Sequence, residues 1–133
     1  MGALVDSSVL IAAERGLLDI ESVAKKHGRL EVALSAITAS ELLHGVHRAP
    51  TEARRTRRLT YVEALLSRFP IIPFDLVCAR IHARLSSDLA SRGVSVGAHD
   101  LLIAATAVAR DLEVVTRDER SFPRIPGLSL VRW

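Results

Sequence analysis

The sequence predicts one α/β domain over residues 1–133, with a central, mainly parallel five-stranded sheet flanked by helices. Short apolar runs alternate with helical patterns along the whole chain, and this order is typical of a parallel sheet covered on both faces. Aromatic residues are few (three Phe, one Tyr and one Trp), so aliphatic side chains must form the core between helices and sheet. No linker, internal repeat or low-complexity tract divides the chain.

Strands are predicted where short apolar runs occur, at residues 3–5, 31–36, 71–72, 113–116 and 128–131. Helices are predicted at residues 8–14, 19–27, 39–47 and 52–68, with Gly28 and Pro50 at helix ends. The helix at 76–91 is amphipathic, because Val77, Ile81, Leu85 and Leu89 recur at four-residue spacing. The helix at 100–110 is apolar nearly all round and is therefore expected to be buried.

Composition excludes several classes of protein. The single cysteine, Cys78, allows no internal disulfide and no cysteine-based zinc site. The first residues lack a basic leading region and Asp6 interrupts their apolar run, so no signal peptide is expected. No uncharged apolar stretch reaches the length of about 18 residues that a membrane span needs. We therefore expect a cytoplasmic protein, and the net charge of +3 is compatible with a nucleic-acid partner.

Four acidic residues follow predicted strands or begin predicted helices: Asp6, Glu41, Asp100 and Asp118. In parallel sheets ligands bind beyond the carboxyl ends of the strands, where such side chains would meet. Carboxylate oxygens are the ligands that Mg²⁺ and Mn²⁺ prefer. A cluster of like charges repels itself unless a cation is present. The pattern therefore indicates a metal-dependent reaction on phosphate esters.

Each acid also has an ordinary structural interpretation. Asp6 could cap a helix, and Glu41 could form a capping box with Thr38. Asp100 could interact favourably with the dipole of its helix, and Asp118 could be a turn residue. Asp75 also follows a strand and begins a helix, so by spacing alone it is as eligible as Asp100. Position along the chain reduces the number of candidate site residues, but by itself it does not single out these four acids.

Four segments, in order and spacing, resemble the PIN-domain ribonucleases, and in particular the VapC toxins of bacterial toxin–antitoxin pairs: LVDSSVLIAAE, ITASELLHG, GAHDLLIAATA and VVTRDERSFPRIPGL. The resemblance covers essentially the whole chain. It implies an Mg²⁺- or Mn²⁺-dependent endoribonuclease that hydrolyses phosphodiester bonds in single-stranded RNA regions. It also implies a homodimer that is inhibited by a VapB-like antitoxin.

The resemblance assigns roles to individual residues. Asp6 and Asp100 match the main metal ligands, while Glu41 and Asp118 match acids that complete the pocket and position water. Ser7 and Thr116 match supporting hydroxyls, and His99 stands where many relatives have Asn. Asp75 matches a helix cap rather than a site residue. Whether Asp118 or the adjacent Glu119 completes the site is left open.

A dense basic run lies on the predicted helix at 52–68 and consists of Arg54, Arg55, Arg57 and Arg58. Three of its members, Arg54, Arg57 and Arg58, share one helix face. Contact with RNA phosphates, contact with an acidic partner segment and a merely solvated face are all open interpretations.

The rival function of a different class is a receiver-like signalling domain, which needs a lysine after a late strand. The only lysines here are Lys25 and Lys26, which come too early. Nucleotide-binding folds are disfavoured because neither Gly-Lys-Ser/Thr nor Gly-x-Gly-x-x-Gly occurs. Within the nuclease interpretation, a housekeeping RNase without an antitoxin remains the alternative.

Overall fold

A five-stranded parallel sheet forms the centre of the computed structural model, which describes residues 2–28 and 31–133. Its strands are β1 (Ala3–Val5), β2 (Val32–Ser35), β3 (Ile71–Ile72), β4 (Glu113–Thr116) and β5 (Leu130–Arg132). They lie in the order β3-β2-β1-β4-β5, and every neighbouring pair is parallel. The predicted fold class is confirmed, and the central strands β1 and β4 are buried throughout.

Helices cover both faces of the sheet: α1 (Ser7–Glu14), α2 (Ile20–Lys26), α3 (Ala36–His47), α4 (Glu52–Arg68), α5 (Leu76–Ser91) and α6 (Ala98–Ala109). Alternating side chains of the strands point to opposite faces. Val5 and Val115 accordingly pack in one core with α1 to α4, and Leu4 and Val114 in another with α5 and α6. Packing on both faces of the sheet therefore holds the ends of these strands in place.

Two helix starts differ from the prediction by two or more residues, and both bear on the site. Helix α3 begins at Ala36, three residues earlier than predicted, because the Ser35 hydroxyl accepts from the Thr38 amide at 2.9 Å and caps the helix. The capping-box interpretation of Glu41 is therefore wrong, and its side chain lies on the second turn. Helix α6 begins at Ala98 after Gly97, which places Asp100 in the first turn.

The end of the chain also differs in detail from the prediction. Strand β5 begins at Leu130 rather than at residue 128, and an unpredicted 3₁₀ turn, Phe122–Arg124, precedes it. Phe122 is buried in the α5–α6 core, so this turn is anchored. Among the described residues, the longest apolar helices fall short of what a bilayer crossing requires.

Candidate active site

Asp6 lies at the centre of the carboxyl edge of the sheet, directly after β1, and is 4% exposed. Its Oδ2 accepts hydrogen bonds from the Ser8 hydroxyl at 2.8 Å and the Thr116 hydroxyl at 3.0 Å. The Ser8 amide lies at 3.4 Å from the same oxygen, so Asp6 also caps α1. Oδ1 receives none of these three bonds.

Glu41 faces Asp6 from α3. Its carboxylate accepts from the Ser7 hydroxyl at 3.5 Å and lies 3.4 Å from Nδ1 of His99, which belongs to the first turn of α6. Burial raises the pKa of Glu41, and the charge of Asp6 raises it further, while contact with His99 lowers it. The predicted supporting residues Ser7 and His99 therefore both contact the same acid.

Asp100 approaches the same place from the first turn of α6. Burial is the largest cause that raises the pKa of Asp100, and the charge of the Asp6 carboxylate is the next largest. A hydrogen bond from Ser121 lowers the same pKa. The Ser121 hydroxyl accepts from the Gly97 amide at 3.0 Å, which directs its proton to Asp100. A Cβ on Gly97 would lie 3.2 Å from the Asp100 Oδ2, so glycine gives this carboxylate its space.

Asp118 lies at the rim and differs from the other three acids. Both of its carboxylate oxygens accept from the guanidinium of Arg120, at 3.0 and 2.9 Å. These hydrogen bonds lower the pKa of Asp118, although its charge still raises the pKa of Asp100. Glu119 instead pairs with Arg132 at 3.2 Å. The structure therefore brings Asp6, Glu41 and Asp100 together and leaves Asp118 beside them, held by an arginine.

Known proteins resemble this chain in sequence. The family model described as PIN domain matches residues 3–128. The chain belongs to the PIN-domain family. A Ribonuclease VapC of Rickettsia bellii is 34% identical over 98% of this chain and 96% of its own length. A tRNA(fMet)-specific endonuclease VapC of Salmonella typhimurium is 35% identical over 75% of this chain and 74% of its own length.

Solved structures of this kind share the whole fold. The crystal structure of DNA-bound VapBC from Salmonella typhimurium matches this PIN domain with a TM-score of 0.87 and 29% identity, covering 100% of this chain and 98% of the other. VapBC2 from Rickettsia felis, bound to a promoter DNA fragment, matches with a TM-score of 0.85 and 28% identity over 100% and 99% of the two chains. The predicted family is thereby confirmed.

Two hydroxyl residues of this PIN domain were missed by sequence reasoning. In Asp6-Ser7-Ser8 the second serine bonds Asp6 and lies 3.2 Å from the Thr116 hydroxyl, while the first reaches Glu41. The sequence of two adjacent serines does not indicate which one bonds Asp6 and which one bonds Glu41. Ser121 carries no signal at all, because its role depends on a turn that the apolar pattern does not reveal.

The arginine run lies beside the acids, not among them. The guanidinium of Arg58 donates to the Gly45 carbonyl at 2.9 Å, and that of Arg55 lies 3.4 Å from the Ala49 carbonyl, so both tie α4 to the end of α3. Arg54, Arg57 and Arg58 line one concavity with Glu14 and Tyr61. Arg58 also lines a second, adjoining concavity that reaches Ser7 and Glu41.

Asp75 lies elsewhere. It caps α5 by accepting from the Cys78 amide at 3.1 Å, and it pairs with Arg110 at the C-terminal end of α6. Hydrogen bonds from Cys78 lower its pKa, and none of the other acids contributes to that shift. Its predicted capping role is confirmed, and Asp75 serves below as a control position.

Proposed function

We propose that this PIN domain is a metal-dependent endoribonuclease that hydrolyses phosphodiester bonds in single-stranded RNA regions, as the toxin of a toxin–antitoxin pair. The observation that carries the proposal is the mutual repulsion at the carboxyl edge of the sheet. Asp6 raises the pKa of both Glu41 and Asp100, so the cluster favours a cation. The ribonuclease names of the relatives supply the substrate class.

The donor set fits Mg²⁺ or Mn²⁺, because all its charged groups are carboxylates. Among residues 2–28 and 31–133, no three acidic, His or Cys side chains already converge on one ion position. Mg²⁺ usually takes only one or two carboxylates and completes its shell with water and phosphate oxygens. Asp6 and Asp100 would hold the ion, with Oδ1 of Asp6 as the oxygen that its hydroxyl partners leave available.

When bound, the metal supplies Lewis-acid activation of water and stabilises the leaving oxygen. Glu41 then orients the attacking water and accepts its proton, a task that suits a carboxylate with a raised pKa. Asp118 holds the rim through Arg120 and adds negative charge beside Asp100. The hydroxyls of Ser8 and Thr116 hold the Asp6 carboxylate in place.

We further propose that the chain forms a homodimer in the cytoplasm and is inhibited by a VapB-like antitoxin. The solved relatives that match it over their full length are toxin–antitoxin complexes by name. Co-expression with the product of a small neighbouring gene, followed by co-purification and loss of cleavage, would distinguish a toxin from a housekeeping RNase.

The test of the reaction is cleavage of RNA by the purified protein. Wild type should cut tRNA(fMet) or another structured RNA with Mg²⁺ or Mn²⁺ and not with chelator. Asp6→Asn and Asp100→Asn should lose cleavage, because a neutral amide binds a cation weakly while keeping the shape of the side chain. Asp75→Asn, in which Asn remains a good cap, should cut normally. Full cleavage by either site variant, with contaminating nucleases excluded, would overturn the assignment.

Melting curves test metal binding separately from catalysis. Binding to the folded state alone stabilises by about 2.7 kcal/mol when free metal is about a hundredfold above its Kd. At about 2.1 cal/mol/K per residue for 133 residues, this raises the Tm by about 10 °C. Asp100→Asn should melt above wild type in chelator, because one repelling charge is gone, and should respond little to metal. Equal gains for both proteins would place the ion elsewhere.

A further inference from the structure

A second surface with arginine side chains adjoins the acid cluster and is separate from the arginine run. It is a groove of about 660 Å³ between the loop at 95–97 and a segment formed by Glu119, Arg120, Ser121, Pro123 and Arg124. We call it the Arg120 groove. Its volume lies within the range of about 300–1,000 Å³ of small-ligand sites. None of its lining residues belongs to the arginine run or its concavity.

The Arg120 groove adjoins the candidate active site at Asp100. Gly97 and Ser121 line the groove; the Ser121 hydroxyl hydrogen-bonds the Asp100 carboxylate, and a Cβ on Gly97 would lie 3.2 Å from the Asp100 Oδ2. The groove is therefore close enough to Asp100 to receive the nucleotide next to a phosphate that reacts there.

The two arginines of the groove have unused donors. A guanidinium carries five N–H groups. Arg120 uses two of them on Asp118, which holds the head in place and leaves three for a ligand, and its side chain is 89% exposed. Arg124 donates from Nη1 to the Ser95 carbonyl at 3.1 Å, which fixes it at the opposite wall. Glu119 is the one acid among the described residues that line the groove, and it is paired with Arg132.

We infer that the Arg120 groove binds the phosphate backbone of the RNA next to the scissile bond, an inference that rests on the proposed nuclease function. Two anchored guanidinium groups with free donors match phosphate oxygens. Among the described residues that line the groove none is aromatic, so no ring is available for base stacking, and we expect contacts to the backbone rather than to base edges.

The test is binding of a short fluorescein-labelled oligouridine by the full-length protein in chelator, followed by anisotropy from about 50 to about 300 mM salt. Arg120→Gln/Arg124→Gln should bind about five- to thirtyfold more weakly at low salt. The slope of log affinity against log salt should fall by about 0.7 per lost phosphate contact. Arg124→Gln alone, which leaves the Asp118 pair intact, should show half of the slope change.

The matched control is Arg80→Gln/Arg84→Gln, which removes the same charge from exposed positions near the middle of α5, outside the lining of the Arg120 groove. It should bind RNA as wild type does. With metal, Arg124→Gln, which leaves the Asp118–Arg120 pair intact, should raise KM and largely keep kcat, because the lost contact is made equally in the ground and transition states.

The outcomes separate this inference from the function on which it rests. If wild type neither binds nor cuts RNA, the proposed function fails. If wild type binds RNA while the groove variants keep its affinity and salt slope, the groove is not an RNA site and the function stands. If those variants instead lose affinity only for an oligoglutamate peptide, the groove serves an acidic protein partner, and the inference is overturned.

Discussion

Thr116 offers the sharpest test of how the site is held together. Its side chain is 1% exposed at the end of β4, and its hydroxyl donates to the Asp6 Oδ2 at 3.0 Å while accepting from the Asp118 amide at 2.9 Å. Thr116→Val keeps the shape of the side chain and removes both bonds. Thr116→Ser keeps the hydroxyl and removes one methyl group.

The two variants should differ in both stability and activity. Losing a hydrogen bond to a charged group costs about 1.5–3 kcal/mol. For 133 residues this predicts a Tm lower by about 5–11 °C for Thr116→Val. The serine variant should lose only about 1 kcal/mol, the contribution of one buried methyl group. Loss of an outer partner of a metal ligand typically lowers activity about 10- to 100-fold. We expect that loss for valine and near-normal cleavage for serine.

The assay is RNA cleavage measured well below both melting temperatures, alongside melting curves in chelator. A valine variant that cuts as fast as wild type would show that the Thr116 hydroxyl does not hold Asp6 for the reaction. A serine variant as slow as the valine variant would assign the effect to packing rather than to the hydrogen bond.

Two further predictions concern the arginine run and Tyr61. If Arg54 and Arg57 contact RNA phosphates, replacing both by Gln should weaken RNA binding and lower its salt slope, and an unchanged slope in a binding titration would remove them from the RNA site. Burial raises the pKa of Tyr61 to about 12, so folding stability should be complete below pH 10 and should fall by about 2–3 kcal/mol as pH rises through 12. Tyr61 is the only tyrosine, so a tyrosinate absorbance titration reads its pKa directly, and a value near 10 would contradict this environment.

The strands and most helices were predictable because their signals are local. Short apolar runs placed β1 and β4, and four-residue spacing placed α5. The start of α3 was not predictable in the same way. Three hydroxyl residues in a row of six can cap a helix there: Ser35, Thr38 and Ser40. Only the packing of Thr38, which is fully buried, decides in favour of Ser35.

The acids could be proposed from sequence because charged residues at strand ends are a local pattern, and the family resemblance narrowed the choice. Their partners could not all be found this way. Ser8 and Thr116 are 108 residues apart in the chain and meet only once β1 and β4 pair. The pairing of Asp118 with Arg120 is local, but nothing in the sequence distinguishes Arg120 from the adjacent Arg117 as its partner.

The β1–β4 register is therefore what assembles the centre of the site. Val5 pairs with Val115, and the Asp6 amide donates to the Val115 carbonyl at 2.8 Å, so the next residue of each strand lies beside the other. Those residues are Asp6 and Thr116. A slip of one residue would turn the neighbouring side chain toward the edge and carry Thr116 to the opposite face. The buried valines that fix the register thus also determine which hydroxyl meets Asp6, and the repulsion within the acid cluster is opposed by the packing of the sheet that brings its members together.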